Sequence, residues 1–236
     1  MVFLVIFILA ATLVTLSLTV FFKIETLTVS GNTVYESSEI LANSGVKVGD
    51  NMFLMLDSKI EQRLREKLPF VENLKINRIL PNKMEIIITE SEEYFCYPYA
   101  GQFFTASKDN RVLAKYSSAP SGLVLMKVSG LSNVEIGKTV TFTKEEESGY
   151  ISKLFTAFEK HGISVTALDV TDLLSIEAKI SQNIVVNFGG PTDLDGKTAH
   201  LAAMLKKIDS SKQGVINLSV WSETKDEGYF IEGNLQ

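Results

Sequence analysis

A single cysteine, Cys96, stands in 236 residues, which excludes an intramolecular disulfide framework and any cysteine-rich metal site. Its neighbours Tyr94-Phe95-Cys96-Tyr97 read as a packed strand, so the thiol is expected to be buried and inert. It does not decide a redox compartment. A basic surplus is missing too: with a net charge of -5 and a pI near 5.2, the chain has no footprint for nucleic acid. Only two histidines occur, His161 and His200. His161 precedes Gly162 at the end of a helical pattern, where a solvated, dipole-favoured position is the common case. His200 falls on the polar side of another helical stripe, with no second histidine at ligand spacing. Gly189-Gly190-Pro191 precedes a helix but lacks the Lys-Ser/Thr of a phosphate loop and any G-x-G-x-x-G. The runs Glu145-Glu146-Glu147 and Glu90-Ser91-Glu92-Glu93 read as a dipole-compensating helix start and a solvated linker. No catalytic, cofactor-binding or metal-ligating set is expected, and no small-molecule substrate.

What is present begins with an uncharged run, Val2–Phe22, built of Val, Leu, Ile, Phe and Ala with four hydroxyl residues. As a helix it is roughly 31 Å long, close to the ~30 Å hydrocarbon core of a bilayer. Hydroxyls that bond back to helix carbonyls cost little in lipid. A cleaved signal peptide would want a basic n-region, a shorter apolar core and a small-x-small cleavage site, so the run reads as an uncleaved single-pass anchor, residues 1–22. Charge does not orient it, because only Met1 precedes the run and Lys23 follows it.

From residue 23 to 90 the order is strand, helix, helix, strand, strand. Ile24–Val29 alternates as a strand before the turn Ser30-Gly31-Asn32. Ser37 is a candidate N-cap and Gly45 a helix end. Asp57 is placed to cap a second helix whose Ile60, Leu64 and Leu68 form one apolar stripe, with Pro69 as its stop. A hairpin follows, with Leu74 and Ile76 on one arm and Met84, Ile86 and Ile88 on the other. Three strands with one helix-covered face make a small α+β domain. Residues 91–221 add short strands, a helix opening at Thr143-Lys144-Glu145-Glu146 with capping-box spacing, three more strands, and a last helix capped by Thr192 or Asp193. The final expected strand is Val215–Trp221, leaving 222–236 as a short tail.

Val29-Ser30-Gly31-Asn32, Tyr35, Gly49-Asp50-Asn51-Met52-Phe53, Pro69-Phe70-Val71 and Arg78–Ile86 together resemble the POTRA domain of the FtsQ/DivIB cell-division proteins. The second domain is similar to the FtsQ-type β domain in element order and in Asn187-Phe188-Gly189. It departs where Asn110 stands for the usual glycine, a turn asparagine can still make, and where Asn217 stands for the usual aspartate. The resemblance covers the anchor and both domains. It implies an α+β protein: one transmembrane helix, a β-α-α-β-β POTRA domain, and a larger mixed β domain with two packed helices.

In the last strand Ile216, Leu218 and Val220 take one face and Val215, Asn217, Ser219 and Trp221 the other. Trp221 is the only tryptophan, a residue enriched at interface hot spots. On residues alone, docking edge and ordinary core stand level. The resemblance implies docking there of an FtsB/DivIC-type subunit, which associates with FtsL, by strand addition. Val215, Asn217, Ser219 and Trp221 are therefore the expected partner-binding residues. The function implied is a non-enzymatic membrane scaffold of the division complex, extracytoplasmic and at the septum. The alternative is an envelope enzyme or wall-hydrolase accessory, which should show a pocket with convergent polar groups.

Overall fold

The computed structural model describes residues 2–180, 184–209, 212–222 and 228–233, apart from the side chains of residues 2 and 13–20. It opens with helix α1, Val2–Val20, where the Thr12 hydroxyl donates to the Ile8 carbonyl at 2.8 Å. Among the described residues no helix is long and apolar enough to cross a membrane. The chain forms two compact units, Met1–Glu92 and Glu93–Gln236, each described by itself.

After α1, the first unit runs β1 (Thr26–Ser30), α2 (Ser37–Ser44), α3 (Asp57–Lys67), β2 (Val71–Ile79) and β3 (Lys83–Glu90). This is the expected element order. β3 is central, parallel to β1 and antiparallel to β2. Its alternating Met84, Ile86 and Ile88 bury against Ile40 and the Ile60–Leu64–Leu68 stripe, each such burial being worth roughly 1.5–3 kcal/mol. Helix starts depart from expectation. Ser37 and Asp57 are first helical residues, while Glu36 and Leu56 hold the N-cap positions without a side-chain bond. Asp57 is instead drawn to the Arg78 guanidinium, with one contact at 3.1 Å.

The stretch read as a solvated linker is partly structural. The Glu90 carboxylate accepts from the Thr33 amide at 2.7 Å, the Thr33 hydroxyl at 2.6 Å, and the amides of Val34 at 2.8 Å and Tyr35 at 3.3 Å. A carboxylate offers about four acceptor sites, and the turn after β1 fills them. Ser91 is buried, and Glu93 accepts from the hydroxyls of Thr105 and Tyr116.

The second unit contains β4 (Phe95–Tyr99), β5 (Gln102–Ala106), β6 (Val112–Tyr116), β7 (Val124–Lys127), β8 (Leu131–Asn133), β9 (Thr141–Phe142), α4 (Glu145–His161), β10 (Val165–Asp169), β11 (Ile176–Ile180), β12 (Ile184–Gly189), α5 (Leu194–Leu205), β13 (Gly214–Asn217) and β14 (Tyr229–Glu232). Among the described residues nine strands form one sheet in the order β14-β13-β12-β11-β10-β7-β4-β5-β6, and β8 pairs with β9 as a separate ribbon. The ribbon was not legible in the sequence. Ile151, Leu154 and Phe158 of α4 and Leu201 of α5 share a core with Tyr97, Phe188 and Ile216. Cys96 is buried, and burial, then the Glu93 charge, pushes its thiol up.

Asn110 takes the left-handed conformation at φ 60, and Asp193 caps α5, its carboxylate accepting from the Gly196 amide at 3.2 Å. The capping box at Thr143 does not form: Lys144 is the N-cap of α4 without a side-chain bond. Nor is all of Glu145–Glu147 solvated, because Glu147 turns inward to the Ser129 hydroxyl and is buried. The largest correction lies at the end of the chain. The strand expected to run to Trp221 stops at Asn217, and residues assigned to a tail return as β14.

Candidate functional site

β13 is an interior strand. It pairs in parallel with β12, and on its other side antiparallel with β14, with Gly214 opposite Glu232, Val215 opposite Ile231, Ile216 opposite Phe230 and Asn217 opposite Tyr229. The edge expected at Val215–Trp221 is therefore moved out by one strand. Among the described residues, no strand pairs with the outer side of β14.

The pairing also shows which groups point outward. The Gly233 amide donates to the Gln213 carbonyl at 3.2 Å, continuing the ladder. In an antiparallel pair the inward-bonded residues alternate, so Tyr229 and Ile231 turn their amides toward β13. Phe230 and Glu232 turn theirs away. Side chains alternate the other way: Phe230 packs on the core, while Tyr229 and Ile231 are 48% and 55% exposed. Lys212 holds the end of the strand, its ammonium 2.6 and 2.8 Å from the two Glu232 oxygens.

The four residues named from sequence separate in the structure. Val215 and Asn217 lie on the same face as Ile231 and Tyr229, and the Asn217 side-chain Nδ2 donates to the Tyr229 hydroxyl at 3.1 Å. Ser219 is not in the ladder: its amide and hydroxyl both donate to Asn217 Oδ1, at 2.9 and 2.7 Å. That side-chain turn bends the chain after β13, so Val220 is exposed while Ile216 and Leu218 are buried. Trp221 packs inward, its ring 5.8 Å from the His200 ring and its Cη2 2.6 Å from where a Gly196 Cβ would stand. It covers α5 and is not on the outer edge. Tyr229 and Ile231, which the sequence reading left in the tail, are the exposed side chains of the outermost strand. The run Tyr229-Phe230-Ile231 after Gly228 carried the strand signal.

The unit also holds a cleft of about 330 Å³ lined by His161, Ile163, Ser164, Ile180, Leu205 and Lys206. His161 Nε2 is 3.1 Å from Asp195 Oδ1, and the Lys160 ammonium is 2.7 Å from the other Asp195 oxygen. The Lys160 bond first, then His161, holds the Asp195 carboxyl below its ordinary range. Asp195 is 57% exposed in its side chain, so water screens these charges. The arrangement is a surface ion cluster and does not build a shielded acid–base site. Among the described residues no group of three or more His, Cys, Asp or Glu is disposed to hold a metal.

Residues 22–91 match the family model of the POTRA domain, FtsQ-type. The chain is 28% identical over 213 residues to the cell division protein DivIB of Clostridium acetobutylicum, an alignment covering 88% of this chain and 84% of that one. With the DivIB of Clostridium botulinum strain Hall it shares 29% over 216 residues, covering 88% and 82%. With the cell division protein FtsQ of Streptomyces griseus it shares 22% over 191 residues, covering 81% and 91%.

Proposed function

We propose that the chain is a member of the FtsQ/DivIB family of bacterial cell-division proteins, a reading its FtsQ-type POTRA match over residues 22–91 and its similarity to DivIB and FtsQ support, and that it is a non-enzymatic bitopic scaffold of the division complex. Val2–Phe22, without a charge, anchors it in the cell membrane. The two units stand outside the cytoplasm, at the septum. The second unit offers its sheet edge to a subunit of the FtsB/DivIC type, which associates with FtsL, and so helps coordinate septal wall synthesis.

The observation that carries this reading is β14. An edge strand presents unpaired amides and carbonyls, which proteins normally guard with lysine, proline or a covering element. Tyr229–Glu232 has no lysine, arginine or proline, and Tyr229 and Ile231 are exposed beside Val215 and Asn217 on one face. Main-chain pairing would supply affinity, and that face selectivity.

Glu232→Pro tests it. The Glu232 amide points away from β13, so proline deletes an outward donor without removing a bond of the existing ladder. Glu232→Ala, which also gives up the exposed Lys212 pair but keeps the amide, is the control: the two variants are expected to melt alike, and only the proline variant to lose capture of the FtsB/DivIC-type subunit of the same organism from detergent-extracted membranes. A folded proline variant that captures this subunit undiminished overturns the edge-docking reading.

A further inference from the structure

The first unit leaves one end apolar. Val48, Phe53, Leu54 and Leu56 are exposed in the loop between α2 and α3, Leu54 at 79%, and Leu80 is exposed in the β2–β3 turn. Hydrogen bonds bring the two segments to one place. The Met52 amide donates to the Phe22 carbonyl at 3.1 Å, Ile24 to Asp50 at 2.9 Å, and Gly49 to Ile24 at 2.8 Å, so the loop runs beside residues 22–24. The Asn82 carbonyl accepts from Glu25 at 2.8 Å and Thr26 at 3.3 Å, which places the β2–β3 turn against the same stretch. Arg78, at the end of β2 just before that turn, ties the strand to the loop, donating to the Met52 carbonyl at 2.9 Å and the Met55 carbonyl at 3.2 Å. The Phe22 and Phe53 rings meet edge to face at 5.0 Å.

Phe22 is the last residue of the uncharged run, and Lys23 the first charge after it. If that run spans the bilayer, the Phe22 carbonyl stands where hydrocarbon gives way to headgroups. A loop hydrogen-bonded to it stands at the same depth. Leu54 follows Met52 by two residues, no more than about 7 Å of chain. At the apolar tip of the loop two amides are already paired, which lowers the chief cost of irregular backbone near lipid. Phe53 donates to Asn51 Oδ1 at 2.9 Å, and Leu54 to the Asn51 carbonyl at 3.2 Å. Lys23, Lys47 and Lys83 are exposed in these same segments, suited to phosphate level while the apolar side chains enter.

We propose that this end of the first unit is a membrane-seating surface. Val48, Phe53, Leu54, Leu56 and Leu80 enter the bilayer interface and fix the unit against the lipid, so that it does not swing from its anchor. The inference rests on Val2–Phe22 being a span, and the test separates the two. The full chain is reconstituted in vesicles of mixed phosphatidylcholine and phosphatidylglycerol, carrying one environment-sensitive fluorophore on Leu54→Cys, Leu80→Cys, Leu9→Cys or Ser38→Cys. Cys96 is buried and does not compete for label. Lipids spin-labelled near the headgroup serve as quenchers, and lipids labelled deeper in the acyl chain as the second set. Labels at 54 and 80 are expected to emit to the blue of the label at 38 and to be quenched by the shallow lipids. The label at 9 is expected to be quenched by the deep ones. Labels at 54 and 80 as wet and unquenched as that at 38, with the label at 9 quenched, overturn the seating surface alone. A label at 9 that no lipid quenches overturns the span, and the seating surface with it.

Discussion

The carbonyl oxygen of Ile231 lies 2.2 Å from the point where a Cβ on Gly214 would stand. β14 can close on β13 only because that atom is absent. Phe230 fills the remaining space, with ring atoms 2.7 and 2.9 Å from the same point. Gly214→Ala is therefore expected to push β14 off the sheet while the α4 core stays intact. Hydrogen exchange should show amide protection lost at Tyr229 and Ile231 and retained in α4. Unchanged protection at both would show that the pairing tolerates a methyl group and that this account of the edge is wrong.

Glu90 should make the first unit acid-sensitive. Burial raises its carboxyl, but the bonds from the Thr33 hydroxyl and the Val34, Thr33 and Tyr35 amides outweigh burial and hold it below the ordinary 4.5. A depressed carboxylate contributes stability that is fully present above its unfolded value and is lost as pH falls through its folded one. Glu90→Gln keeps the shape and removes the charge. The variant is expected to be less stable at neutral pH, by roughly 1.5–3 kcal/mol for hydrogen bonds to a charged group. The gap from the parent should narrow below about pH 4.5. Thermal melts from pH 3 to 7 check this, and a constant gap across that range would contradict it.

Lys197 is 2% exposed, and its ammonium donates to the carbonyls of Phe188 at 2.6 Å and Gly190 at 3.0 Å. It joins the end of β12 to α5, and burial pulls its pKa below the ordinary lysine value, with Asp193 opposing. Methionine would fill the space and leave those carbonyls without this donor. Lys197→Met is expected to destabilise the second unit by about 1–3 kcal/mol, the cost of unsatisfied buried groups. Urea unfolding followed through Trp221 fluorescence measures it.

Replacing His161 and His200 together with glutamine is expected to leave septation intact. The first meets an exposed carboxylate and the second a tryptophan ring, and glutamine retains hydrogen bonding at both positions. The measurement is cell length in a strain that depends on this chain. Filamentation caused by a folded double variant would point to chemistry in the 330 Å³ cleft.

Apolar periodicity carried most of the fold. The Ile60–Leu64–Leu68 and Met84–Ile86–Ile88 rows bury as their spacing requires, because one face of an element has nowhere else to go. Single-residue features carried less. Asp57 looked like a cap, but a guanidinium far along the chain takes its carboxylate. Glu90 looked solvated, but a turn closes over it. Long-range partners decide these two groups, and neighbours in sequence do not reveal them. The end of the last expected strand failed for a local reason: the alternation continues through Ser219, while the Asn217 side chain takes that residue's amide and turns the chain. The edge moved because Tyr229–Glu232 returns to pair outside β13.

From β10 to β14 each strand lies beside the one made just before it. This side of the sheet is built from pairings between consecutive strands, which close at a low entropic cost. β14 has β13 as its neighbour, so it can open without breaking a pairing deeper in the sheet, and the margin is the row whose local stability is set apart from that of the core.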